Sequence, residues 1–153
     1  MAGDRKQIPF LRTEFDEGWG AFSPDAHWIA YVSGESGSFE LYVRPFAAPE
    51  SGSPGIAGKW QVSKGGATTA TPFWRADGKE LYYRSPTGAL MAVDVNASTT
   101  FQSGAPHRLF DVLAAAPVDA AADGKRFLAA MPQQESGPQA ITVVLNWQAS
   151  LKR

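Results

Sequence analysis

Seven side chains in this sequence have the chemistry that a binding or catalytic site would need. They are the carboxylates of Glu14, Asp16, Glu17 and Asp119, the imidazoles of His27 and His107, and the indole of Trp19. Clustered carboxylate oxygens bind calcium or magnesium, and zinc takes carboxylates together with imidazoles. The four acids are therefore candidate ligands for a divalent cation (calcium, magnesium or zinc), and the alternative is that they are solvated loop acids.

The two histidines are weak candidates for a general base or a metal ligand. They are far apart in the sequence, and neither has a His or Cys companion. Zinc needs three or four ligands, so each histidine would need carboxylates or a second subunit to complete a site. His27 occupies a position where related segments carry Lys79 and Lys125, which predicts an exposed turn.

Several function classes lose support from composition and motifs. The chain has 14 basic and 15 acidic residues, a formal net charge of −1 and no cysteine. No basic run suggests a nucleic-acid groove, and no apolar run reaches the roughly 18 residues of a membrane span. The nucleophile elbow GxSxG and the glycine-rich phosphate loops are absent from the sequence. We expect no nucleic-acid or membrane partner, and without an export signal the chain as given would be cytoplasmic.

A repeated turn organises the rest of the chain. Asp25, Asp77 and Asp123 each precede a turn residue, a basic or His residue and a hydrophobic run. The intervals between them are typical of propellers and other repeat proteins. An Asp in a tight turn usually accepts a hydrogen bond from its own backbone, so we expect these three carboxylates to be structural.

Strand-like segments around these turns predict an all-β domain over 1–153. The predicted parts are a closing strand at 8–13, three blades at 20–63, 70–112 and 118–147, and a tail at 148–153, with polar loops at 47–58 and 96–106. The strand count is one, four, four and three. Because three blades are fewer than the roughly 4 to 8 that close a ring, we expect a homodimer of six blades, in which strand 8–13 completes the third blade of the other copy.

Three stretches resemble the TolB-like, WD-repeat-like propellers of bacteria, including those appended to Ser/Thr kinases. They are FSPDAHWIAYVSGESGSFELYVRPF from Phe22, GKWQVSKGGATTATPFWRADGKELYYRS from Gly58, and ITVVLNWQASLKR from Ile141. The resemblance implies the C-terminal half of a propeller, and such modules are often extracytoplasmic. By this resemblance the family's turn glycine corresponds to Gly78 and Gly124, and the same position in the first copy holds Ala26. A positive backbone angle at Ala26 would cost about 1 kcal/mol.

Two function classes follow from these observations. The first is a binding or scaffold module that recognises a protein, peptide or small ligand through its channel and loop face, with Trp19 and Glu17 as ligand-binding residues. Trp19, between Gly18 and Gly20, is expected to line a pocket. The alternative is a metal-assisted hydrolase of esters, lactones or phosphotriesters at the channel.

Overall fold

All regular structure in the chain is β-strand in the ranges that the computed structural model describes, which are 9–46, 58–98, 100–112, 118–130 and 142–144. Within these ranges twelve strands form three antiparallel sheets, none of which is closed. The prediction of an all-β chain is therefore confirmed. In these ranges no helix has the length and apolar character to cross a membrane.

Sheet 1 contains four strands in sequence order. They are β1 (Glu17–Phe22), β2 (Trp28–Ser33), β3 (Glu40–Pro45) and β4 (Trp60–Gln61). Aromatic and β-branched residues dominate β2, which is buried along its whole length as the second strand of the sheet. β1 begins at Glu17, three residues before the predicted start of the first blade, and so includes Trp19.

Sheet 2 contains five strands. They are β5 (Phe73–Trp74), β6 (Glu80–Arg84), β7 (Ala89–Asn96), β8 (Gln102–Ser103) and β9 (His107–Asp111). The first four follow sequence order, and β9 also pairs with β7. β8 lies in the segment 96–106, which the sequence predicts as loop. That prediction is wrong there, because the end of β7 at Val95 and Asn96 pairs with β8.

Sheet 3 has three described strands, β10 (Val118–Ala120), β11 (Phe127–Ala129) and β12 (Thr142–Val144), in the order β10-β11-β12. Residues 9–13, part of the predicted closing strand, form no strand within this chain. Pairing of 8–13 with a second copy stays a prediction. Residues 131–141 and 145–147 of the predicted third blade, and the predicted tail at 148–153, lie outside the described residues.

The repeated turns have one conformation in all three sheets. Asp25, Asp77 and Asp123 each accept a hydrogen bond, through Oδ1, from the backbone N–H two residues later, over 3.1, 3.0 and 2.9 Å. The structural role predicted for these carboxylates is thereby confirmed. The next residue has a positive φ in each turn, 57° at Ala26, 72° at Gly78 and 65° at Gly124. Ala26 therefore carries the strain anticipated from the sequence.

The sheets pack face to face, always in the same direction. One face of β2, with Trp28, Ala30 and Val32, packs with Leu81 and Tyr83 of sheet 2. The opposite face of sheet 2, with Tyr82, Leu90 and Ala92, packs with Phe127 and Ala129 of sheet 3. Since alternate residues of a strand point to opposite faces, each sheet presents one kind of face to its predecessor and the other kind to its successor.

Candidate functional site

The first strand contains an irregularity that centres on Trp19. β1 pairs Gly18 with Val32 and Ala21 with Ala30, so two residues, Trp19 and Gly20, lie opposite Tyr31. Trp19 has a φ of 53° and is 38% exposed. A bulged strand often places glycine at a positive φ, and a bulky residue there costs on the order of 1–3 kcal/mol.

Contacts of the indole account for part of this conformation. The ring of Trp19 lies edge-on to Phe39, with ring centroids 5.9 Å apart. Phe39 in turn packs against the core between sheets 1 and 2. Trp19 is thus a partly exposed aromatic at the edge of that core, which is compatible with the pocket-lining role predicted for it.

Glu17, the second predicted ligand-binding residue, lies on the outer face of sheet 1, the face turned away from sheet 2. It pairs with Ser33, which shares that face of β2 with Tyr31. The Oε1 atom of Glu17 and the hydroxyl of Tyr31 are both buried, and neither has a hydrogen-bond partner among the described residues. An unpaired buried polar group costs about 1–3 kcal/mol, so this face has two groups in need of a partner.

Tyr31 keeps its proton at ordinary pH. Burial raises the pKa of its hydroxyl, Arg44 opposes that effect, and the charges of Glu35 and Glu17 add to it. The O–H group therefore remains a hydrogen-bond donor. The ring is 4% exposed and stacks on Tyr42 at a centroid distance of 5.9 Å.

Neighbouring charged groups are already paired. Lys59 Nζ donates to Glu35 Oε2 over 2.6 Å and lies 5.4 Å from the centre of the Tyr42 ring. Glu35 is therefore neutralised by a cation, whereas the described residues offer Oε1 of Glu17 no donor.

A rim of aromatic side chains borders the outer face. The buried centre of this face consists of Ile29, Tyr31 and Tyr42, and Leu11 and Phe46 pack against them. Phe22 is 53% exposed and meets the Phe46 ring edge-on at 4.9 Å. Phe10, also exposed, has its ring centroid 5.9 Å from that of Phe46.

The remaining predicted ligands are not brought together within the chain. Glu14, Asp16 and Asp119 are exposed, and Asp119 Oδ1 accepts a hydrogen bond from the adjacent Ala120 N–H over 2.8 Å. In the part of the chain that the structure describes, no three His, Asp or Glu side chains are grouped so that they could hold a metal. A divalent-cation site made with a second copy stays a prediction.

Both histidines are exposed and lie away from the bulge. His27 is in the first repeated turn, with Nδ1 3.2 Å from Asp25 Oδ2, at the opposite end of β2 from Ser33. His107 begins β9 and pairs with Ala92 in sheet 2. Their role as a general base or metal ligand stays a prediction.

Sequence analysis missed two groups that this region depends on. Tyr31 was included in a hydrophobic strand, and the only sequence signal for its position is the Gly-Trp-Gly stretch that forms the bulge opposite it. Glu40 was also missed. It is 5% exposed and accepts hydrogen bonds from the Ser63 hydroxyl and from the N–H groups of Gly65 and Gly66, the latter two over 3.1 and 2.9 Å.

Comparison with known proteins adds no identification. No protein-family model matches the chain, and no curated protein matches it.

Proposed function

We propose that the chain is a scaffold and binding module of the β-propeller type, in which each sheet is one blade, and that it binds a protein through the outer face of sheet 1. The observation that carries this proposal is the character of that face. Ile29, Tyr31 and Tyr42 are buried as in a protein interior, yet what packs on them is Leu11 from a segment without regular structure, together with Phe46.

Support for the blade arrangement comes from the order and packing of the strands. In each sheet the first strand along the chain (the lead strand) lies at one edge. The strands that follow it in sequence pair one after another, as in the radial repeats of a propeller. The lead strands of sheets 1 and 2 lie side by side, since Trp74 Nε1 donates to the carbonyl of Ala21 over 3.2 Å. In a propeller those strands would line the channel.

A protein is the favoured ligand because the face combines apolar area with polar groups that lack partners. Exposed aromatics such as Phe22 are enriched at protein interfaces. Interface hot spots bury aromatic side chains in the centre of a contact. A partner that reached Glu17 Oε1 and the Tyr31 hydroxyl would also remove two unpaired buried groups.

The alternative, a metal-assisted hydrolase at the channel, stays a prediction that no observation in the described residues favours. Binding of a small ligand at the channel mouth by Trp19 also stays a prediction.

A photo-crosslinking amino acid in place of Phe22 tests the proposed face. We expect a protein crosslink, either with the purified chain at high concentration or with extract added. The matched control carries the same group in place of Thr87, an exposed turn residue of sheet 2. Equal crosslinking at both positions, or none at position 22, would contradict the proposal.

A further inference from the structure

The repeated turns make a second contact, which links each sheet to the one before it. A Cβ atom on Gly78 would lie 3.8 Å from Cδ of Pro24 in the first turn. On Gly124 it would lie 2.5 Å from Cδ of Arg75 and 3.1 Å from the hydroxyl of Tyr82, both in sheet 2. The positive-φ residues of the second and third turns therefore lie against the preceding sheet, and a Cβ atom in the third turn would require the Arg75 side chain to shift.

Ala26, the equivalent residue of the first turn, has no preceding sheet among the described residues. It is exposed, whereas Gly78 and Gly124 are partly buried. Unlike them it carries a methyl group. A sheet that packed on Ala26 in the same way would need a smaller side chain than Arg75 at the contact.

Sheet 3 has that smaller side chain at the equivalent position, and its face directed away from sheet 2 packs against no other sheet among the described residues. The repeat places Ala121 where sheet 2 has Arg75, and Leu128 where sheet 2 has Tyr82. Leu128 is 51% exposed, although its counterpart Tyr82 is fully buried against sheet 3. Both replacements leave space at the position where the methyl group of Ala26 would sit.

We infer that the protein bound by the outer face of sheet 1 is a second copy of this chain, whose sheet 3 packs there through Ala121 and Leu128. Two such contacts, one in each direction, would close six sheets into a ring. The second copy would displace Leu11 from the face and so free residues 9–13 to pair elsewhere. This inference rests on the proposed function, because it names the partner of the same face.

Apolar side chains on both faces favour this partner. The incoming face presents Leu128 and its cross-strand neighbour Asp119, and Arg126 lies two residues before Leu128 on the same side of β11. Arg126 is exposed, with an ion pair of 3.4 Å to Asp123. The receiving face offers apolar Ile29 and the carboxylate of Glu17.

Engineered cysteines test the contact directly, since the natural chain has none. We expect the double variant Ala26→Cys with Ala121→Cys to form a disulfide-linked dimer under mild oxidation. Within one chain the two positions lie in sheets separated by sheet 2, so the bond has to join two copies. A disulfide needs Cβ atoms about 3.8 Å apart, which makes the readout strict.

The controls are each single cysteine variant and the pair Ala26→Cys with Gln102→Cys, where Gln102 is exposed in β8. Leu128→Asp gives an independent readout without cysteine, because an exposed residue tolerates the change in the isolated chain. We expect it to weaken dimerisation about tenfold or more, measured by light scattering over a concentration series.

Each result decides between the possibilities. A covalent dimer from the Ala26 and Ala121 pair alone supports the inference, whereas equal linkage in the control pair or unchanged mass for Leu128→Asp overturns it. A ladder of larger species overturns the closed ring. If the probe at Phe22 crosslinks a different protein and no disulfide dimer forms, the proposed function stands and a second copy is the wrong partner.

Discussion

Two acidic side chains flank Ser33 in sheet 1, and the fold treats them differently. Glu40 on β3 and Glu17 on β1 both pair with Ser33 in the sheet register. Glu40 receives hydrogen bonds from one hydroxyl and two backbone N–H groups, while Oε1 of Glu17 receives none from the described residues. A carboxylate with all its donors in place belongs to the architecture, and one without them indicates a contact that another molecule would complete.

Removal of the Glu40 carboxylate should have the largest effect. Glu40→Ala leaves the Ser63 hydroxyl, the buried N–H of Gly66 and the partly buried N–H of Gly65 without an acceptor. We expect the free energy of unfolding to fall by about 3 kcal/mol, measured by urea denaturation. Thr87→Ala, on an exposed turn, serves as the control. A loss below about 1 kcal/mol would contradict the structural role of Glu40.

A buried tyrosine should make the free energy of unfolding depend on pH in the alkaline range. Burial, with a further contribution from the charge of Glu40, raises the pKa of Tyr83 to about 12. The folded state therefore holds that proton more tightly than the unfolded chain, whose tyrosines ionise near 10. Stability from this group is complete below pH 10 and is lost as the pH rises towards 12. Tyr83→Phe should flatten the slope of stability with pH in this window.

The hydroxyls of Tyr82 and Tyr31 differ in the same way as the two carboxylates, since only one of them has a hydrogen-bond partner. The Tyr82 hydroxyl donates to Glu80 Oε2 over 2.7 Å, whereas the Tyr31 hydroxyl has no partner in the described ranges. Tyr31→Phe should raise the free energy of unfolding of the isolated chain by about 0.5–1 kcal/mol, and Tyr82→Phe should lower it by about 1 kcal/mol. Thermal unfolding of both variants measures the difference, and changes of the same sign would remove the distinction.

Glu17→Gln should have the smallest effect on stability. The change removes a charge whose Oε1 is buried without a donor, so we expect the free energy of unfolding to change by no more than about 0.5 kcal/mol. Dimerisation should weaken, because the proposed partner would meet an uncharged amide in place of the carboxylate. A large loss of stability in urea would instead give Glu17 the structural role of Glu40.

Local signals in the sequence predicted the parts of the fold that depend on near neighbours. The turn aspartates and the positive φ of Ala26 follow from residues within one turn of each other. The acceptor role of Glu40 could not be predicted, since its donors Ser63, Gly65 and Gly66 lie more than twenty positions away and meet it only after β3 and β4 have paired. For the same reason the four candidate metal ligands could be named but not placed.

The constant direction of sheet packing has a further consequence for how copies of this chain would associate. Each chain would have two different end faces, namely the outer face of sheet 1, which receives a partner, and the face of sheet 3 with Leu128, which packs onto one. Copies would therefore add head to tail, and each addition would leave the same two faces free at the ends. Such growth stops only when the last face meets the first. Because propellers commonly have about 4 to 8 blades, one copy with its three described sheets would have too few and three copies would have too many. A pair of copies therefore fits this range. A substitution that altered the angle between sheets without weakening their contact would turn a closed pair into an open filament.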